Sequence, residues 1–152
     1  MWLDDFLPCL WAALACAGFC LMFNVRTGIL ICCSGGALGW LVYLIFQAAG
    51  CSNALCCLFA AIAISIFAEI MARLRKYPVT TYLLISSLPL VPGAGIYYTM
   101  RSAFEGEMML FLQQGMETIG TAICLAVGIL IGSTCVHIVM MLRLKKKKDA
   151  AA

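Results

Sequence analysis

The residues best suited to chemistry in this chain lie between Ser86 and Met100, where Pro89, Pro92, Gly93 and Gly95 interrupt an apolar stretch long enough to be a membrane helix. Proline cannot donate a backbone hydrogen bond and clashes with the preceding turn. Glycine lets the backbone turn and come close to a ligand with no Cβ in the way. A helix broken inside a bilayer bares peptide groups that must be satisfied by protein, a ligand or a wet cavity. The N-terminus of the second half-helix carries unpaired N–H groups and a partial positive charge, suited to a carboxylate. Transporters place half-helix ends in this way near the bilayer midplane. The expected geometry ends the first half-helix at Pro92 and starts the second between Ala94 and Tyr97. Tyr97, Tyr98 and Thr99 follow the break and Ser86 and Ser87 precede it, adding hydroxyls. The competing reading is a structural kink whose freed carbonyls are satisfied by neighbouring side chains.

Few other side chains qualify. Glu69 is the acid set well inside an apolar run, and Arg73 stands four residues on, on the same helix face. That spacing reads first as an ion pair at the interface and second as a proton-coupling carboxylate. Glu117, near the start of the last apolar run, reads as a helix-dipole acid first and a pathway or proton-coupling residue second. Asn24 either caps the first helix or turns its amide toward a cavity. His137 has Cys135 two residues away and no metal partner on its helix face, so an interface or partner contact fits it better than a metal ligand. The ten cysteines fall mostly inside apolar runs. There they act as small hydrophobes, and neither Cys32–Cys33 nor Cys56–Cys57 can clasp one metal from opposite sides of a helix. Cys51, in a loop, is the exposed candidate. No cofactor or metal is expected.

The elements that must position these groups follow from composition. The 152 residues are 64% hydrophobic and 11% charged, with a mean hydropathy of +1.04. A soluble domain carries about 25% charge, so lipid is the solvent here. The chain has no room for a nucleotide-binding module and no phosphate-loop motif. It also lacks the Ser/His, paired-Asp and His-Glu-x-x-His patterns of an intramembrane enzyme. The expected fold is an all-α, polytopic membrane protein in one membrane domain, 1–152, with about five transmembrane helices. The spans fall at about 6–23, 28–48, 54–72, 80–103 (the Pro/Gly-broken fourth helix) and 116–142, before a basic tail, 143–152. Asp4 and Asp5 precede the first span with no basic run, which reads as a retained span rather than a cleaved signal.

Short cytoplasmic loops collect Lys and Arg. An N-out, C-in arrangement puts Arg26, Arg73, Arg75, Lys76, Arg143 and Lys145 to Lys148 inside and leaves Arg101 outside. Trp2, Trp40 and Tyr43 would then anchor the outer interface and Tyr77 the inner one. The Lys145–Lys148 run reads as an inner-leaflet anchor, not a nucleic-acid site. Ser102 to Glu105 matches a capping box that would open a new helix, although Gly106 fits a turn equally well. An interfacial helix, Met108 to Gln114, is favoured over a fifth helix that projects beyond the bilayer. Gly35–Gly39 and Gly128–Gly132 have the spacing at which helices approach closely.

Two blocks carry a family resemblance. Phe23-Asn24-Val25, and Tyr77-Pro78 followed by Leu88 to Tyr97, resemble the small subunit of the two-component threonine/serine exporter family. The Pro-x-x-Pro-Gly run inside a span is the specific part. The resemblance implies a multi-pass component of a bacterial inner (cell) membrane exporter. It implies a larger membrane subunit as partner, with a homo-oligomer also allowed, and export of threonine and serine or of a dicarboxylate such as succinate. Pro89, Pro92, Gly93, Gly95, Tyr97 and Asn24 are then the expected substrate contacts. The alternative is an assembly subunit that steadies a partner's helices without touching cargo.

Overall fold

The computed structural model describes the backbone of residues 2–24, 29–76 and 78–149. Arg26 and Tyr77, used above for orientation, lie outside the described residues. So do Val25 of the resemblance and the side chains of Trp2 and Lys145 to Lys148. The described chain is helical, without strands: α1 (Trp2–Met22), α2 (Ile29–Ala48), α3 (Asn53–Arg75), α4 (Val79–Ser87), a 3-10 turn (Leu88–Leu90), α5 (Gly93–Glu105) and α6 (Met108–Asp149).

By length and composition α2, α3 and α6 can each cross a membrane. A fourth crossing is formed if Val79–Leu90 and Gly93–Glu105, bent by 49°, act as one broken span. The apolar run described in α1, Leu7–Met22, is shorter than the other three.

The centre of the bundle is α3, which packs against α2, α4 and α6. Its buried positions explain how it serves several neighbours. Cys56, Ala60, Ile64, Ala68 and Ala72 recur every fourth residue, as do Cys57, Ala61, Ser65 and Glu69. Most of these are small, and small residues let backbones close up where lipid supplies no hydrophobic drive between helices. The glycine spacings do the same. A Cβ built on Gly128 would sit 2.6 Å from the Leu58 carbonyl oxygen on α3, and one on Gly132 would sit 2.8 Å from Ser65 Cβ. Ser65 Oγ also donates to the Ile129 carbonyl, 3.0 Å away on α6. Gly36 closes on Cys16 of α1, and Gly35 on Ser86 of α4. Both Gly-x-x-x-Gly segments therefore mark close helix contacts within this chain.

In the last third the structure decides between the two readings of Ser102–Gly106 and corrects one expectation. Ser102 to Glu105 do not open a helix; they form the last turn of α5. Gly106, at φ 78°, takes the left-handed position that ends it. Its N–H bonds to the Ala103 carbonyl and the Glu107 N–H bonds to the Ser102 carbonyl, the pairing by which a glycine closes a helix. The separate interfacial helix is absent too. Met108 to Asp149 is one 42-residue helix, about 63 Å long at 1.5 Å per residue. No proline interrupts it, and isolated glycines weaken a helix without ending it.

Candidate functional site

The chain breaks where its prolines require it. Val91, forced away from helical geometry by the proline after it, is extended (φ −62°, ψ 128°). Pro92 follows at φ −75°, ψ 57°, and the Gly93 N–H reaches back to the Val91 carbonyl at 2.7 Å. This is an inverse γ-turn. The second half-helix starts at once, at Gly93, one residue ahead of the expected window. Its first-turn amides receive no side-chain cap.

Some of the carbonyls at the break do find partners, as the kink reading requires. Pro89 leaves the Ile85 carbonyl without its usual donor, and the Cys16 thiol on α1 supplies one at 3.4 Å. Cys57 on α3 points its thiol at the Leu90 carbonyl, 3.8 Å away. These two cysteines are donors to the break as well as filling volume. The hydroxyls expected to serve a ligand are mostly engaged with backbone. Ser86 donates to the Cys32 carbonyl, Ser87 to Leu84 and Thr99 to Gly95.

Beside the break lies an open cavity of about 940 Å³. Pro89 to Gly95 form one wall. The C-terminal half of α2 brings Trp40 and Tyr43, the α2–α3 corner brings Cys51 to Ala54, and α6 brings Glu117, Thr118, Gly120 and Thr121. Tyr43 stacks on Trp40 with ring centres 5.3 Å apart and lies 3.4 Å from Asn53 Oδ1. The indole N–H of Trp40 is buried with no hydrogen-bond partner among the described residues. The cavity thus has an uncapped helix N-terminus on its wall, suited to an anionic group, while the Trp40 N–H is sealed behind the wall.

The expected site residues divide. Pro89, Pro92, Gly93, Gly95 and Glu117 meet at this cavity. Tyr97 does not line it; the side chain is 63% exposed and stands edge-on to Tyr98. Asn24 lies past the end of α1 in left-handed geometry (φ 55°), which asparagine tolerates, and does not line the cavity. Glu69 is buried at the other end of α3, where Arg73 pairs with it at 3.2 Å. The dipole reading of Glu117 is corrected: α6 starts at Met108, so Glu117 is its tenth residue, beyond the first turn in which the dipole acts.

The two glycines also differ. A Cβ on Gly93 would meet nothing within 4 Å, whereas one on Gly95 would meet Thr118 Oγ1 at 2.5 Å. Gly93 opens onto space, and Gly95 is a packing residue between α5 and α6. Cys51 lines the cavity but is half-buried; Cys135, on α6, is the exposed thiol among the described cysteines. Of the α6 wall Glu117 was anticipated and Thr118, Gly120 and Thr121 were not; their sequence signal is faint, two threonines in an otherwise apolar run.

Comparison with known proteins adds one result. The family model for the threonine/serine exporter, ThrE, matches residues 8–135, a stretch that contains every wall of the cavity. Neither the curated proteins nor the solved structures gave a match. With most of its length matched, and with the Pro/Gly break inside the matched stretch, this chain belongs to the threonine/serine exporter family.

Proposed function

We propose that the chain is the small subunit of a bacterial inner-membrane exporter of small hydrophilic carboxylates, working with a larger membrane subunit. In this reading α1 is a fifth crossing, the N-terminus faces out, and the basic end of the bundle faces the cytoplasm. Cargo binds in the cavity at the break, its carboxylate against the amides of Ala94 and Gly95. The observation that carries the reading is Gly93. It opens the uncapped start of α5 to a cavity, where a structural kink alone would be packed shut.

Charge favours an amino acid over a dicarboxylate. The described lining includes Glu117 and no Lys or Arg. A zwitterion can set its ammonium against Glu117 and its carboxylate against the helix start. A dicarboxylate would bring its second negative charge to a wall already negative. Threonine and serine are therefore preferred over succinate.

Cys51 offers a test without mutation, because this native thiol lines the cavity. Alkylation at Cys51, read by peptide mass spectrometry, should slow when threonine or serine is added and stay unchanged with an uncharged analogue. Equal labelling in all conditions, from membranes that export normally, would remove the cavity as the binding site. It would leave the assembly-subunit reading in its place.

A further inference from the structure

Glu69 is the charged residue sealed inside the bundle among the described residues, with its side chain 4% exposed. Its two oxygens face different partners. Oε2 accepts from Arg73 on the same helix at 3.2 Å. Oε1 accepts from Ser133 Oγ at 3.2 Å and faces His137 Nε2 at 3.7 Å, both across the seam on α6. A structural ion pair needs Arg73 alone. It does not need an imidazole from another helix on the second oxygen. His137 is the only histidine in the chain and is 60% exposed, so it joins a sealed carboxylate to the surface of the bundle, six residues before Arg143, in one step. Arg73 is 37% exposed and has room to swing away when the carboxyl is neutral. The other helices packed on α3 bring no Asp, Glu, Lys, Arg or His among their described side chains. The nearest titratable groups there are the Tyr82 phenol on α4 and the Cys32 thiol on α2, which pack around Ala68 and Ala72.

We infer that Glu69 and His137 form a proton-exchange pair at the basic end of the α3–α6 seam, through which a proton leaves the bundle as cargo is exported. The inference rests on the export reading above. The proton passes from the Glu69 carboxyl to Nε2 of a neutral imidazole. The carboxylate left behind is held by Arg73 and Ser133, and the imidazolium releases its proton to water. Imidazole and carboxyl are side chains that pass protons as a positioned pair, and Nε2 and Oε1 stand 3.7 Å apart here.

Everted vesicles from the native background carry the full chain with whatever it assembles with. Two readings separate the claims: labelled-threonine counterflow without a gradient, and threonine-driven decay of an imposed pH gradient followed with a pH-sensitive dye. His137 is largely exposed, so His137→Gln should reach the membrane at normal levels. It should keep counterflow and lose threonine-driven proton movement by about 100-fold, the scale of a missing acid–base group. Glu69→Gln should behave alike. Normal proton movement in His137→Gln overturns the pair, as does equal loss of both activities, which would mark a purely structural role. A wild type with counterflow but no coupled proton movement overturns the pair alone. A wild type with neither overturns the export reading as well.

Discussion

Replacing Gly93 and Gly95 one at a time separates a binding cavity from a mere bend, because the structure assigns them opposite environments. At Gly95 a methyl group would meet Thr118 Oγ1 at 2.5 Å and Cγ2 at 3.2 Å. Thr118 cannot turn away freely, since its hydroxyl donates to the Gln114 carbonyl at 2.7 Å. Gly95→Ala should therefore push α5 off α6, at the about 1–3 kcal/mol typical of overpacking. At Gly93 the same methyl meets nothing within 4 Å, and alanine is the better helix residue by up to about 1 kcal/mol. Gly93→Ala should leave stability unchanged or slightly raised. Gly93→Leu should also fold, but its side chain enters the cavity against the bare amides. If it removes even about 1.4 kcal/mol of cargo stabilisation, export falls about tenfold. The assay is efflux of labelled threonine from preloaded cells, normalised to the amount of protein in the membrane, with thermal unfolding of the purified protein alongside. Wild-type efflux from Gly93→Leu at normal levels would refute the cavity as the route. A stable Gly95→Ala with an unstable Gly93→Ala would refute the assignment of the two glycines.

Other outcomes follow from the same contacts. Glu117→Gln should weaken threonine export by about 0.5–1 kcal/mol, the range for an exposed charge pair, while narrowing the preference over dicarboxylates; competition between labelled threonine and succinate reads it. Gly128→Ala should destabilise the α3–α6 seam by about 1–3 kcal/mol, because the Leu58 backbone in its way cannot yield. Gly120→Ala, with open space around it, is the silent control in the same unfolding assay. Cys16→Ala should cost about 0.5–1.5 kcal/mol by leaving the Ile85 carbonyl bare, and Cys16→Ser should recover part of it.

The features legible in the sequence were those enforced locally. Val91 before Pro92 has few backbone options, so the break could be placed to within a residue. Glu69 and Arg73 share a helix face by spacing alone, and they pair as expected. The close glycine contacts followed from a steric rule that needs no knowledge of the partner helix. What stayed hidden depends on long-range assembly. Ser133 and His137 lie more than sixty residues from Glu69, and nothing in either segment names the other. Thiol donors to the Ile85 and Leu90 carbonyls could not be seen, because a cysteine in an apolar run looks like any small hydrophobe. The continuity of α6 was missed for another reason. The capping-box pattern at Ser102 and the glycine stop at Gly106 compete for the same residues, and only the backbone pairing decides between them.

The unbroken course of α6 has a mechanical meaning. Glu117 at the cavity and His137 beside the sealed carboxylate ride on one rod, twenty residues apart, or about 30 Å, the thickness of the hydrocarbon layer. A shaft with no joint between two such stations cannot relax one without disturbing the other. In the proposed reading, a guest at the upper station would act on the same rod that carries the imidazole at the lower, with the close α3 contacts at Gly128 and Gly132 in between. One continuous helix thus joins the cavity wall to the sealed carboxylate's neighbour, and the proposed cargo and proton sites would share it as their common frame.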